Sequence, residues 1–110
     1  MDENLFETVA QRALEFLAAT LEEAGDFDVD LESGVLTIEV DDVGTFLVNK
    51  HAPLRQLWYS SPLSGASHYD FDQNARAWVS TRGGDDLATV MTADFIAGPG
   101  VTLPTLDFPE

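Results

Sequence analysis

The chain has no cysteine, which excludes a disulfide framework, a thiolate metal site and a cysteine nucleophile together. Nothing points to an oxidising compartment, and a reducing interior is the simpler expectation. Positive charge is almost as scarce: five Lys and Arg stand against twenty Asp and Glu, a formal net charge of -15. Such a chain is a poor partner for nucleic acid or an anionic membrane and a good one for cations and basic protein surfaces. No apolar run approaches the length of a membrane span. The start Met1-Asp2-Glu3 resembles neither a secretory signal nor an Arg-rich transit peptide, so the protein is expected to work where it is made or to have lost a presequence. A phosphate-cradling glycine loop, a nucleophile elbow and a credible triad are also missing, which leaves an ordinary hydrolase or nucleotide enzyme little support.

What is present is an ordered block of acid. Thirteen of the twenty carboxylates fall in the first 42 residues, where Arg12 is the sole basic residue, giving that third a formal -12. From about Asn4 to Ala24, Phe6, Val9, Ala10, Ala13, Leu17, Leu21 and Ala24 recur at helical spacing and predict a core-facing stripe. Glu3, Glu7, Glu15 and Glu22 lie on another face, and Asp2 or Asn4 is available as N-cap. The period then changes. In Asp26-Phe27-Asp28-Val29-Asp30-Leu31-Glu32 apolar and acidic residues alternate, as in a half-buried strand that sends Phe27, Val29 and Leu31 inward and four carboxylates outward. One helix and one strand thus share an acidic rim.

The remainder reads as a hairpin-linked meander. Ser33-Gly34 turns into a strand at Val35 to Val40, and Asp41 to Gly44 turns into Thr45 to Asn49. Pro53 breaks the link to Gln56 to Ser60. After a loop over Ser61 to Gly65 come strands near His68 to Asp72 and Ala77 to Thr81. Asp85 or Asp86 caps a helix over about Leu87 to Ala97 with Leu87, Val90, Met91 and Phe95 as its stripe, and Gly98-Pro99-Gly100 stops it. Residues 101–110 form an extended tail. The 110 residues, 45% of them hydrophobic, make a single domain able to bury about two thirds of its unfolded surface. Its expected class is α+β, a two-layer sandwich with an antiparallel sheet of about six strands and both terminal helices on one face. The other face must meet solvent or a partner.

Two constellations carry chemistry. Carboxylates two apart on a strand lie about 7 Å from one another, so the rim suits hard cations held weakly in water. An EF-hand is rejected, because its Gly would fall at Leu31 and its bidentate Glu at Thr37. The plain alternative is a solvated face kept for solubility, weakened by the self-repulsion of so many like charges. On the open face, alternation puts Asn49, Gln56 and Trp58 outward, a tryptophan flanked by amides as in many protein interfaces. Here the plain alternative is a half-buried sheet tryptophan packing on its neighbours. Trp78 reads as structural. His51 and His68 form no close ligand pair, so zinc is disfavoured and surface histidines are the default.

Several blocks then resemble one family. Ser33-Gly34-Val35-Leu36-Thr37-Ile38, Gly44 to Lys50, Gln56-Leu57-Trp58-Tyr59-Ser60-Ser61-Pro62-Leu63-Ser64-Gly65 and Trp78-Val79-Ser80 together look like frataxin, over about Leu5 to Phe95. The resemblance implies a protein of iron-sulfur cluster assembly that binds Fe2+ or Fe3+ weakly at its surface. On this sequence the matching metal positions are Glu7, Glu15, Glu22, Glu23, Asp26 and Asp28, with Asp30 and Glu32 extending the rim. It further implies docking on a cysteine desulfurase and iron-sulfur scaffold protein through Asn49, Gln56, Leu57, Trp58 and His68. The expected role is a non-enzymatic regulator; an iron chaperone or ferroxidase is the alternative, although no paired Glu and His ligands of a di-iron site are present. A monomer with iron-driven oligomers, in the mitochondrial matrix or a bacterial cytoplasm, completes what the family implies. Gln11 and Arg12 dilute the rim where members are often acidic, and His68 replaces a frequent Arg. The tail is expected between the two helices, with Leu103, Leu106 and Phe108 as plugs.

Overall fold

The computed structural model describes residues 1–109. Helix α1 spans Glu3–Ala24, and the Asp2 carboxylate caps it by accepting the Leu5 N–H at 2.7 Å. The expected stripe is buried from Phe6 to Leu21, and Leu14 and Ala18 are buried beside it. A sheet alone would cover a narrower face. The C-terminal tail supplies the second neighbour, and Phe108 meets Phe16 edge-on with ring centroids 5.6 Å apart.

Six strands follow: β1 Asp28–Glu32, β2 Val35–Val40, β3 Gly44–His51, β4 Gln56–Ser61, β5 Gly65–Asp72 and β6 Ala77–Ser80. They pair antiparallel in sequence order, so every connection is a hairpin. Strand β5 begins three residues earlier than its sequence pattern predicts, and the turn before it shrinks to Pro62, Leu63 and Ser64. Gly65 makes this reach available: at φ 81° it enters the strand directly opposite Ser61. Strand β6 stops one residue short of the predicted Thr81, whose N–H still bonds to the His68 carbonyl.

Alternation assigns the two faces. Leu36, Ile38, Val40, Phe46, Val48, Leu57, Tyr59, Tyr69 and Trp78 are buried under α1 and α2, the latter spanning Leu87–Ala97 with Asp86 as N-cap. Trp78 is structural as expected, packed against Phe71 and Phe6. In α2 the buried positions are Leu87, Met91, Phe95 and, unexpectedly, Asp94, while Val90 is half-buried. The Asp94 carboxylate accepts the hydroxyls of Tyr59 on β4 and Ser64 in the following turn, each at 2.7 Å. Polar groups bury stably only when paired in this way, and the pairing ties α2 to the β4–β5 hairpin. Past Gly98, Val101 N–H bonds to the Phe95 carbonyl, and Leu103, Leu106 and Phe108 are each at most 6% exposed.

Two outcomes follow for stability. Truncation after Gly100 removes three buried apolar side chains, each worth about 1.5–3 kcal/mol. At about 4–8 °C per kcal/mol in a domain of this size, the midpoint of thermal unfolding should fall by more than about 10 °C, and an unchanged midpoint would refute the packing. The second outcome concerns alkaline pH. Burial, then the hydrogen bond to Asp94, holds the Tyr59 phenol above its ordinary 10.0, and burial raises that of Tyr69. The unfolded chain loses these protons at lower pH than the folded one, so the stabilisation is complete below about pH 10 and is lost above it. Denaturant titrations should show a shallower alkaline loss for Tyr59→Phe, at a cost of about 1–3 kcal/mol near neutrality.

Candidate functional site

The uncovered face is built in rows across the strands. Residues paired directly opposite one another share a face, so Glu32, Val35, Asn49, Trp58 and His68 form one row over five strands. Beside it run Asp30, Thr37, Leu47, Ser60 and Ala66, and on the other side His51, Gln56, Asp70 and Val79. Asn49, Gln56, Trp58 and His68 are therefore brought together, all half-buried. Leu57 is not: it is fully buried on the opposite face, because it alternates with Gln56 and Trp58, so its side chain supports the surface from beneath. The Trp58 indole N–H donates to Gln56 Oε1 at 2.9 Å. Both histidines stack on this indole, His51 with ring centroids 3.8 Å apart and His68 with 4.1 Å. The two surface histidines are thus packed on one tryptophan. Only the cross-strand register reveals the contact, since His51, Trp58 and His68 are far apart in sequence.

The acidic rim lies along α1 and β1. Glu15, Glu22, Glu23, Asp26, Asp28, Asp30 and Glu32 are all exposed, as the two periodicities require. Asp28 stands directly opposite Glu39 of β2, and a shallow recess is lined by Asp28, Asp30, Thr37 and Glu39. Like charges facing each other in a sheet are destabilising. Among the described residues, no three His, Asp or Glu side chains converge as a metal-holding group. Any hard cation would be held by one or two carboxylates with water completing its shell. Glu7 differs from the others: its Oε2 receives the Lys50 ammonium at 2.6 Å. Lys50 belongs to β3 and points under the sheet, with its stem against Gly34, where a side chain's first carbon would come within 3.0 Å of Lys50 Cε. Gln11 donates to Glu15 at 3.2 Å.

No helix is long and apolar enough to cross a membrane among the described residues. A cleft of about 640 Å3 lies between α2 and the tail and is lined by residues such as Thr92, Ile96, Leu103 and Leu106, away from the rim and the open face.

Comparison with known proteins agrees with this layout. Residues 1–97 match the family model described as a frataxin-like domain. The frataxin homolog of Schizosaccharomyces pombe mitochondria is 35% identical over 96 residues, covering 82% of this chain and 61% of that protein. The iron-sulfur cluster assembly protein CyaY of Thioalkalivibrio sulfidiphilus is 34% identical, with 92% and 89% covered. The chain thus spans nearly all of the bacterial relative but less than two thirds of the mitochondrial one. Among solved structures, frataxin from Psychromonas ingrahamii superposes with a TM-score of 0.83 at 27% identity over the full length of both chains. Trimeric frataxin from the yeast Saccharomyces cerevisiae, complexed with ferrous ion, gives 0.71 at 34% identity, covering 88% of this chain and 85% of that one.

The rim's geometry has a direct test. Because Glu7 is already paired, Mn2+ titrated into the labelled chain should broaden amide signals from Glu22 through Asp30 several-fold more than those around Glu7. Equal broadening at Glu7 would show that Lys50 does not withdraw it from the rim.

Proposed function

Because the chain belongs to the frataxin family, we propose that it is an iron-binding, non-enzymatic regulator of iron-sulfur cluster assembly, docking on a cysteine desulfurase and its scaffold protein. The observation that carries this reading is the adjacency of two surfaces. A row of Asn49, Trp58 and His68, bordered by Gln56, runs across the open sheet and ends at Glu32 of the acidic strand. A basic patch on a partner would be drawn to the rim over long range, and short-range contact would fall on the uncharged row. The rim then sets encounter rate and orientation, and the row sets how long the complex lasts.

Iron enters as cargo or effector. Exposed carboxylates are hard oxygen donors suited to ferrous and ferric ions, and their separation favours weak, water-shared binding over a closed cage. The Glu22 to Asp30 stretch would hold most of it. Bound cations also neutralise the charge that steers a basic partner, so iron and partner compete for one electrostatic surface. The yeast relative's ferrous complex supports the iron part of the reading and its trimer an assembly route open to the family. Relatives named for mitochondria and for a bacterium point to the matrix or a bacterial cytoplasm as the compartment. An iron chaperone or ferroxidase is the rival, and it puts the whole effect on the rim.

Anaerobic sulfur-transfer and cluster-formation assays with the cognate desulfurase and scaffold, with and without ferrous iron, separate these readings. Trp58→Ala should keep its fold and lose most of the effect on rate. A charge-reversed Glu22 and Asp26 variant should slow association in a salt-dependent way while leaving a residual effect. Full activity in Trp58→Ala with none in the rim variant would instead establish the chaperone.

A further inference from the structure

Three neighbouring strands each contribute one ring to a stack on the open face. The Trp58 indole of β4 lies between His51 of β3 and His68 of β5, with planes within 7° and 8° of parallel and centroids 3.8 and 4.1 Å away. His68 is directly opposite Trp58, whereas His51 reaches it diagonally, two residues beyond Asn49, which is Trp58's partner on β3. Two polar atoms of the stack are committed to neighbours in the fold. Trp58 Nε1–H donates to Gln56, and His51 Nδ1 accepts the Leu54 N–H at 3.3 Å, so the neutral ring carries its proton on Nε2.

We infer that His51 and His68 are positioning residues of the docking face, holding Trp58 edge-on as a rigid, uncharged ridge that a partner receives in an apolar slot. The inference rests on the docking reading above and names what that surface would recognise. An indole packed between two plates at van der Waals separation has one rotamer, so its ordering cost is met before binding. With both faces covered and its N–H used, only its carbon edge is left to a partner. The neighbouring surface is of the same kind: Leu54, in the turn that His51 caps, is 57% exposed, and Val35, opposite Asn49, is 36% exposed. The matching partner is therefore an apolar slot bordered on one side by basic groups that answer Asp28, Asp30 and Glu32.

The test uses the full chain and measures affinity for the desulfurase and scaffold complex. His51→Ala and His68→Ala should each weaken binding about tenfold, the scale of one interface residue, with thermal midpoints near wild type. Phe at either position keeps a flat ring and should restore that affinity. In the free protein, the carbon-bound ring protons of both histidines should be shifted upfield by the indole. Normal shifts would overturn the stack. Wild-type binding by both Ala variants, beside weak binding by Trp58→Ala, would overturn the clamp and leave the docking reading standing. Wild-type binding by Trp58→Ala itself would remove both.

Discussion

A single antiparallel sheet roofed on one side is the constraint from which the other features follow. Each strand sends alternate residues to opposite faces, so the same backbone that places Leu57 and Tyr59 in the core must place Gln56, Trp58 and Ser60 outside it. The roof consists of α1, α2 and the tail; among the described residues, nothing covers the other face. Side chains there stabilise one another only laterally, across the ladder. The His51–Trp58–His68 stack meets that requirement, using aromatic area that would be buried in a thicker domain as contact between neighbours in a single plane.

Two polar ties lock roof to sheet. Asp94 of α2 accepts hydroxyls from Tyr59 and from Ser64. Lys50 of β3 reaches Glu7 of α1 past Gly34. Both ties originate from residues beside the open row: Tyr59 follows Trp58, and Lys50 follows Asn49. Their side chains point down while the row's point up. The heights of Trp58 and Asn49 above the sheet are consequently fixed from below, by groups that a partner on the open face would not touch. A rigid scaffold beneath a binding surface keeps the surface preorganised.

The fold was largely legible in sequence because its signals are periodic. The helical stripe from Phe6 to Leu21, the acidic alternation from Asp26 to Glu32 and the turn residues at Ser33-Gly34 and Gly98-Pro99-Gly100 each depend on residues a few places apart. The outward placement of Asn49, Gln56 and Trp58 followed from the same alternation. What escaped depends on register or on side chains meeting across elements. Ladder offset decides that His51 and His68 flank Trp58, and no local pattern encodes it. Asp94 looks like an exposed helix acid until Tyr59 and Ser64 are found beside it. Glu7 belongs to the rim by spacing, and only the third dimension pairs it with Lys50. Leu57 shows the converse: the family blocks carry it as a contact, yet period two sends it inward.

The rim is a region where the chain accepts an energetic penalty without a visible structural return. Asp28 faces Glu39 across the ladder, and Glu15, Glu22, Glu23, Asp26, Asp30 and Glu32 stand exposed along the same rim. Solubility alone needs far less charge than -15, and charge spread evenly over the surface would supply it with less self-repulsion. Concentration on one helix and one strand, beside an uncharged row on an unroofed face, is the arrangement that electrostatic steering requires: a field that points an approaching basic surface toward the place where short-range contact can form. The same crowding lowers the cost of bringing in a divalent ion, since each cation relieves repulsion already present in the folded state. On the proposed reading, cation binding and partner docking would draw on one source of free energy, and their competition would be a property of the charge layout itself.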